Sequence, residues 1–138
     1  MVLKLYGYHI STATGSVATV LREKKIPFEF VPVDMTKGEH KLPAHLEKQP
    51  FSQIPCLVSP HRDPSVYLLT MSQDDDGFIV YESRAIARYL DAKYPNQGPK
   101  LVPTGLKEIA LFEQGVSIEL SHFHPHASKA VYEKLFKV

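Results

Sequence analysis

Residues 78–90 carry the clearest structural information in this chain and read Phe78-Ile79-Val80-Tyr81-Glu82-Ser83-Arg84-Ala85-Ile86-Ala87-Arg88-Tyr89-Leu90. The opening residues are apolar, aromatic or β-branched and predict a strand, and an amphipathic helix is predicted directly afterwards. Unpaired N–H groups at a helix N-terminus attract a carboxylate, and an acidic side chain beside them could hold an ammonium group. Glu82 and Ser83 therefore predict a receptor for the two charges of a free amino acid.

Upstream of this junction, strand and helix patterns alternate. The predicted elements are strand 2–6, helix 13–24, strand 28–33, a short helix around 43–48, strand 55–58, strand 78–81 and helix 83–94. A helix between the first two strands implies a βαβ crossover and a parallel strand pair. The order βαβ-α-ββα predicts a compact α/β domain over residues 1–95, with helices on both faces of its sheet.

A helical segment is predicted over residues 105–138, after a linker at 96–104. Apolar residues recur there at helical spacing, as in Ile109, Phe112, Val116 and Leu120. Pro125 is expected to kink or interrupt this helix. One long helix cannot bury its apolar stripe alone, so the segment must pack on the first domain, on further helices or on another chain.

Composition excludes several function classes. The chain has 138 residues, 43% of them hydrophobic and 22% charged, with a formal net charge of +1. Nothing in this balance indicates a nucleic-acid or membrane partner. Cys56 is the single cysteine, so no internal disulfide can form, which suits a reducing compartment. No apolar run is long enough to span a bilayer, and a cytoplasmic location is expected.

Ser11 lies between the first strand and the first helix, where it has two interpretations. Serine is a preferred N-cap residue, which needs no further function. The same geometry lets the hydroxyl donate to an anion such as a thiolate. Lowering a thiol pKa from about 8.5 by roughly two units requires ~2.7 kcal/mol, which one charge-assisted hydrogen bond and the helix dipole nearly supply.

Other candidate binding residues also have structural alternatives. Gln53, Ile54 and Pro55 precede the third strand, where proline is structurally permitted; a cis Ile54-Pro55 bond would turn the Ile54 backbone groups toward an extended peptide ligand. His40 and Lys41 form a basic pair in a polar loop, which is either a solvated loop or a receptor for a second carboxylate.

The histidines near residue 124 invite a metal interpretation. On a helix, His122 and His126 would lie one turn apart, but Pro125 disturbs that geometry and two ligands do not make a site. We therefore predict no metal. Cys56 is expected to be a buried strand residue, because it lacks the second cysteine of a dithiol redox site.

Taken together, these motifs resemble those of the glutathione transferases, most closely the phi class of plants and fungi. The resemblance covers essentially the whole chain. The matching stretches are Leu5-Tyr6-Gly7, Ser11, Ala13-Thr14, Gly38-Glu39-His40-Lys41, Gln49-Pro50-Phe51-Ser52-Gln53-Ile54-Pro55, Glu82-Ser83-Arg84-Ala85-Ile86 and Ile118-Glu119 through Phe123-His124-Pro125. The resemblance implies a thioredoxin-like domain followed by the first helix of a truncated all-helical domain.

The resemblance also implies a role for each candidate residue. Ser11 would activate the glutathione thiol, and Phe123 resembles a position lining the electrophile pocket, although a core role suits it equally. The residues implied to bind glutathione are His40 and Lys41 at the glycyl carboxylate, Ile54 with cis Pro55 at the cysteinyl backbone, and Gln53, Glu82 and Ser83 at the γ-glutamyl end.

The chain departs from the family pattern in three places. Gly15 stands where family members often carry a bulkier residue and weakens the helix start by up to ~1 kcal/mol. Residues 59–77 form an insertion where the family has a tight hairpin, and 66–71 within it are predicted to extend that hairpin. Family members also continue for several helices beyond residue 138, so most of the electrophile pocket is expected to be missing.

The leading hypothesis is therefore a glutathione transferase acting on hydrophobic electrophiles, with peroxides as a further candidate substrate class. It would use glutathione as co-substrate, need no other cofactor and form a homodimer or higher self-association. The alternatives are a non-catalytic glutathione- or ligand-binding protein and a transferase-like interaction module of the elongation factor type.

Overall fold

A computed structural model describes residues 2–59, 77–135 and 137. The chain divides into two compact units, residues 1–100 and 101–138. Most of the predicted insertion at 59–77, including the predicted hairpin extension at 66–71, lies outside the described residues.

The first unit is built on a four-stranded sheet in the order β2-β1-β3-β4. Its elements are β1 (Leu3–Gly7), α1 (Thr12–Glu23), β2 (Phe28–Pro32), a 3₁₀ turn (Glu39–Lys41), α2 (Pro43–Leu46), β3 (Cys56–Val58), β4 (Ile79–Tyr81) and α3 (Ser83–Lys93). Strands β1 and β2 pair in parallel, whereas β3 is antiparallel to both β1 and β4. The predicted βαβ-α-ββα order is confirmed.

Alternation along β1 separates the two faces of the sheet. Leu3 and Leu5 are buried in the hydrophobic core, which otherwise consists of Val17, Leu21, Ile26, Leu57, Ile86 and Leu90. Helices α1 and α3 therefore cover this face, and they contact each other. The intervening Tyr6 points to the opposite face, because side chains alternate along a strand. There the ammonium of Lys48, just after α2, lies 5.4 Å from the Tyr6 ring centroid.

A buried ion pair joins the C-terminal ends of α1 and α3. The Lys24 ammonium is fully buried and donates to Asp91 Oδ1 at 2.7 Å. It also donates to the Pro99 carbonyl at 3.1 Å, and the Gln97 amide donates to the Lys25 carbonyl at 2.6 Å. Residues 96–100, predicted as the start of the linker, thus belong to the first unit because these bonds hold them against the end of α1.

The second unit is helical. Helix α4 (Leu106–Ile118) continues through a π-helical turn (Glu119–Phe123) into α5 (His124–Leu135). The His124 N–H bonds to the Glu119 carbonyl, five residues back, directly before Pro125, which has no N–H to donate. The predicted interruption at Pro125 is therefore a change of hydrogen-bond pattern and not a break. Among the described residues, no helix combines the length and apolar character needed to cross a bilayer.

Candidate functional site

The strand register gathers the predicted binding segments at one end of the sheet. Gly7, the last residue of β1, pairs with Pro32 at the end of β2. On the other side of β1, Tyr6 pairs with Cys56, the first residue of β3, and Cys56 pairs with Tyr81, the last residue of β4. The loops holding Ser11, His40-Lys41, Gln53-Ile54-Pro55 and Glu82-Ser83 all leave this same end of the sheet.

Ser11 lies at the N-cap of α1. Its hydroxyl oxygen accepts a hydrogen bond from the Thr14 N–H at 3.3 Å, and its own N–H donates to the Tyr8 carbonyl at 3.0 Å. The buried Thr14 hydroxyl oxygen in turn accepts from the Tyr8 N–H at 3.3 Å. Because the Ser11 hydroxyl accepts the capping bond, its hydrogen remains available to donate to an anion. Thr14 fixes this loop, a role not predicted from the sequence.

A second loop presents His40 and Lys41 from the 3₁₀ turn that follows β2. Asp34 organises the loop: its carboxylate accepts from the Thr36 hydroxyl at 2.6 Å and the Thr36 N–H at 2.9 Å. The Thr36 hydroxyl bond is the main reason why the pKa of Asp34 falls to about 2. Glu39 closes the loop by accepting the Asp34 N–H at 2.7 Å.

His40 has an unsatisfied ring nitrogen, while Lys41 is exposed. His40 Nδ1 is buried and has no hydrogen-bond partner among the described residues. Buried polar atoms are rarely left without a partner, so His40 is a candidate for a role beyond packing.

The loop before β3 is held by side chains to which the sequence analysis assigned no role. The Ile54-Pro55 bond is cis, as the glutathione-binding interpretation required. Gln49 is buried, and its side-chain oxygen accepts from the Phe51 N–H at 2.7 Å and the Gln53 N–H at 3.1 Å. His45, also buried, bonds through Nε2 to the Gln53 carbonyl at 2.8 Å. Their sequence signal is weak: His45 is one polar residue in a short helix, and Gln49 is a polar residue in the turn that follows it.

Glu82 and Ser83 lie where β4 passes into α3. Glu82 occupies the N-cap position in a left-handed conformation with φ of 68°, which is uncommon for a residue other than glycine. Ser83 is the first residue of α3. The side chain of the N-cap residue, Glu82, makes no capping hydrogen bond. The turn thus combines an exposed carboxylate with the N–H groups at the start of an eleven-residue helix.

Phe123 lies in the second unit, at the end of the π-helical turn, and is 65% exposed. The strand register places the other predicted residues at one end of the sheet, and Phe123 is not among them. Nearby, His124 Nδ1 lies 3.9 Å from Glu119 Oε1. Within the described residues, no three His, Cys, Asp or Glu side chains form a group able to hold a metal ion.

Cys56 is buried in β3, as predicted. Burial raises the pKa of its thiol to about 11. A thiol with this pKa is almost wholly protonated at neutral pH and is a poor nucleophile, so Cys56 is not expected to act as a nucleophile.

The family model of the glutathione S-transferase N-terminal domain matches residues 5–99. The chain belongs to this family. Glutathione S-transferase PM239X14 of Arabidopsis thaliana is 44% identical over 137 residues, covering 97% of this chain and 56% of the relative.

Two solved structures of glutathione transferases have the same fold. Poplar glutathione transferase F1 superposes with a TM-score of 0.80 at 34% identity, covering 99% of this chain and 56% of that chain. Glutathione S-transferase-I bound with lactoylglutathione gives a TM-score of 0.76 at 29% identity, covering 98% and 56%. This member of the glutathione S-transferase family therefore spans a little over half the length of these relatives. The predicted phi-class resemblance and thioredoxin-like fold are confirmed.

Proposed function

We propose that this chain binds glutathione at the end of its sheet and activates the glutathione thiol for transfer to an electrophile. The observation that carries the proposal is the strand register, since four loops with complementary binding groups leave one end of the sheet. Glutathione is an extended peptide with a carboxylate at each end and an α-ammonium group. Each of these features has a matching group in the loops.

Each charged group at the two ends of glutathione is held by a group of the opposite charge. The γ-glutamyl carboxylate binds the N–H groups at the start of α3 near Ser83, and Glu82 holds the α-ammonium with help from Gln53. At the other end, Lys41 and His40 bind the glycyl carboxylate. The backbone of Ile54, beside cis Pro55, pairs with the cysteinyl residue between them. No backbone hydrogen bond of Ile54 to another described residue competes with this pairing.

Ser11 acts on the sulfur. Its hydroxyl donates a hydrogen bond to the thiolate at the positive end of the α1 dipole, and the thiol proton leaves to solvent. The thiolate then attacks an electrophilic carbon: a sulfur–carbon bond forms as the leaving group departs with its electron pair. Ser11 never removes the proton itself, because its own pKa is far too high.

The second substrate is a hydrophobic electrophile, with Phe123 contributing to its pocket, and the chain acts in the cytoplasm as a homodimer. A monomeric mass by light scattering at working concentration would contradict the dimer.

Comparing Ser11→Ala with Ser16→Ala tests the proposed function. Among the described residues, the Ser16 hydroxyl bonds to the Thr12 carbonyl within α1, so its loss controls for removing a hydroxyl from the same helix. Glutathione-dependent conjugation of an aryl halide is expected to fall in Ser11→Ala by about 25-fold at pH 7, the change in thiolate fraction when a thiol pKa rises from roughly 6.5 to 8.5.

Either of two results would contradict the mechanism. Full glutathione-dependent activity in Ser11→Ala would show that Ser11 does not stabilise the thiolate. An equal loss in both variants would show that the helix and not the hydroxyl matters. Tight glutathione binding without any conjugation by the unmodified chain would instead favour the non-catalytic alternative.

A further inference from the structure

Gln53 is held by hydrogen bonds on both sides of its backbone. Its N–H donates to the Gln49 side-chain oxygen at 3.1 Å, and its carbonyl bonds to His45 Nε2 at 2.8 Å. A carbonyl can only accept, so His45 Nε2 must carry the hydrogen. Both supporting side chains are buried, with 6% of His45 and 1% of Gln49 exposed.

The support comes from the chain directly before the loop. Backbone hydrogen bonds join the Gln49 N–H to the His45 carbonyl at 2.9 Å and the Ser52 N–H to the Gln49 carbonyl at 3.2 Å. Ser52 adopts a positive φ of 57°, a conformation that serine seldom takes. The end of α2 and the loop 50–54 thus form one hydrogen-bonded unit. Within it, His45 bonds to the carbonyl of Gln53, the residue directly before Ile54.

We propose that His45 is a positioning residue for glutathione. It touches neither the sulfur nor any ligand atom, but it fixes the Gln53 carbonyl and so orders residues 53–55 before glutathione arrives. This inference rests on the proposed function, because residues 53–55 are the segment assigned to the γ-glutamyl and cysteinyl parts of the ligand. A loop ordered in advance binds more tightly, since the ligand does not have to order it.

We expect His45 to affect the affinity for glutathione but not the activation of the glutathione thiol. Ser11 lies on a different loop, after β1, and its hydrogen bonds involve Thr14 and Tyr8 but not the His45 unit. Losing the His45 bond should therefore weaken glutathione binding while leaving the pKa of the bound thiol unchanged. It should also weaken binding of γ-glutamylcysteine, which lacks the glycyl end, by the same factor.

The test compares His45→Met with His45→Gln in the full chain. The two replacement side chains have nearly the same size and flexibility, but only glutamine can donate to the Gln53 carbonyl. Calorimetric titration with glutathione and with γ-glutamylcysteine gives the affinities, and thiolate absorbance gives the thiol pKa. Ile26→Val serves as a stability control, because Ile26 is a core residue away from the loop and this substitution mildly destabilises the fold.

We expect His45→Met to bind both peptides about fivefold more weakly, the equivalent of about 1 kcal/mol or one neutral hydrogen bond. His45→Gln and Ile26→Val should bind within twofold of the unmodified chain, and the thiol pKa should be the same in all variants that bind. Equal affinities of His45→Met and His45→Gln would overturn the proposal. So would an unfolded His45→Met beside a folded His45→Gln, which would make the bond structural. Failure of the unmodified chain to bind glutathione would instead overturn the proposed function.

Discussion

The buried ion pair between Lys24 and Asp91 offers the sharpest test of how the site is held together. Helix α1 begins at the Ser11 N-cap and α3 begins at Ser83, while Lys24 and Asp91 join the opposite ends of these helices. The pair therefore fixes how the two helices lie on the sheet. Replacing Asp91 with asparagine keeps the shape of the side chain but removes the charge that faces the Lys24 ammonium.

The expected cost follows from burial. At 2.7 Å and an effective dielectric constant near 20, the Coulomb attraction is about 6 kcal/mol before desolvation is counted. Removing one partner of a buried pair typically costs about 3–5 kcal/mol, because the remaining charge stays buried. Lys24 is fully buried and would face neutral acceptors, the Pro99 carbonyl and the asparagine amide oxygen, in place of a carboxylate. We expect Asp91→Asn to lower the free energy of unfolding by this amount.

Cys56 provides an assay specific to the first unit, since it is the single cysteine and lies buried in β3. Its labelling during urea denaturation should show a midpoint about 2 M lower in Asp91→Asn, for a typical slope near 2 kcal/mol per M. The double variant Lys24→Met/Asp91→Asn, which removes both charges, should be more stable than Asp91→Asn alone. A midpoint shift below about 0.5 M, or a double variant as unstable as the sum of the single variants, would refute this reasoning.

Three further predictions follow from local geometry. The folded-state pKa of Asp34 is about 2, against an ordinary 3.8. Its contribution to stability is therefore present above pH 3.8 and is lost as the pH falls toward 2. The difference in unfolding free energy between the unmodified chain and Asp34→Asn, measured by urea unfolding, should shrink over that window. With its pKa raised to about 11, the Cys56 thiol should resist alkylation at pH 8 until the chain unfolds, and rapid labelling of the native chain would contradict its burial. Gly98→Ala should destabilise the fold by at least about 2 kcal/mol more than Gly38→Ala in thermal melts. Both glycines have a positive φ, but their surroundings differ. A Cβ at Gly98 would lie 2.4 Å from the backbone at the end of α1, whereas Gly38 has open space around it.

Local patterns were sufficient to predict most of the fold. The apolar alternation in β1, the helical spacing in α1 and α3 and the βα junction at Glu82 each specify an element through nearby residues alone. The chain connections then limit the sheet to few topologies. The predicted position of Ser11 at the start of α1 agrees with the structure for the same reason, since an N-cap depends on its immediate neighbours.

Contacts between distant or unremarkable residues could not be predicted in this way. Lys24 and Asp91 are 67 positions apart, and a surface lysine at the end of α1 would give the same sequence pattern. The bonds from His45 and Gln49 depend on how the loop before β3 folds back over α2. The left-handed Glu82 was missed because sequence preferences favour glycine in that conformation, and only the tertiary turn imposes it.

We propose that this chain builds a glutathione site that lowers the pKa of the glutathione thiol. Ultraviolet difference titration of the purified chain with glutathione, over pH 5–9, measures the absorbance of the bound thiolate directly. We predict a saturable signal whose midpoint lies about two pH units below the ordinary thiol value of about 8.5, and a midpoint that returns toward this value in Ser11→Ala. Saturable glutathione binding with an unshifted thiol pKa, or a shifted pKa that Ser11→Ala leaves unchanged, would contradict the claim.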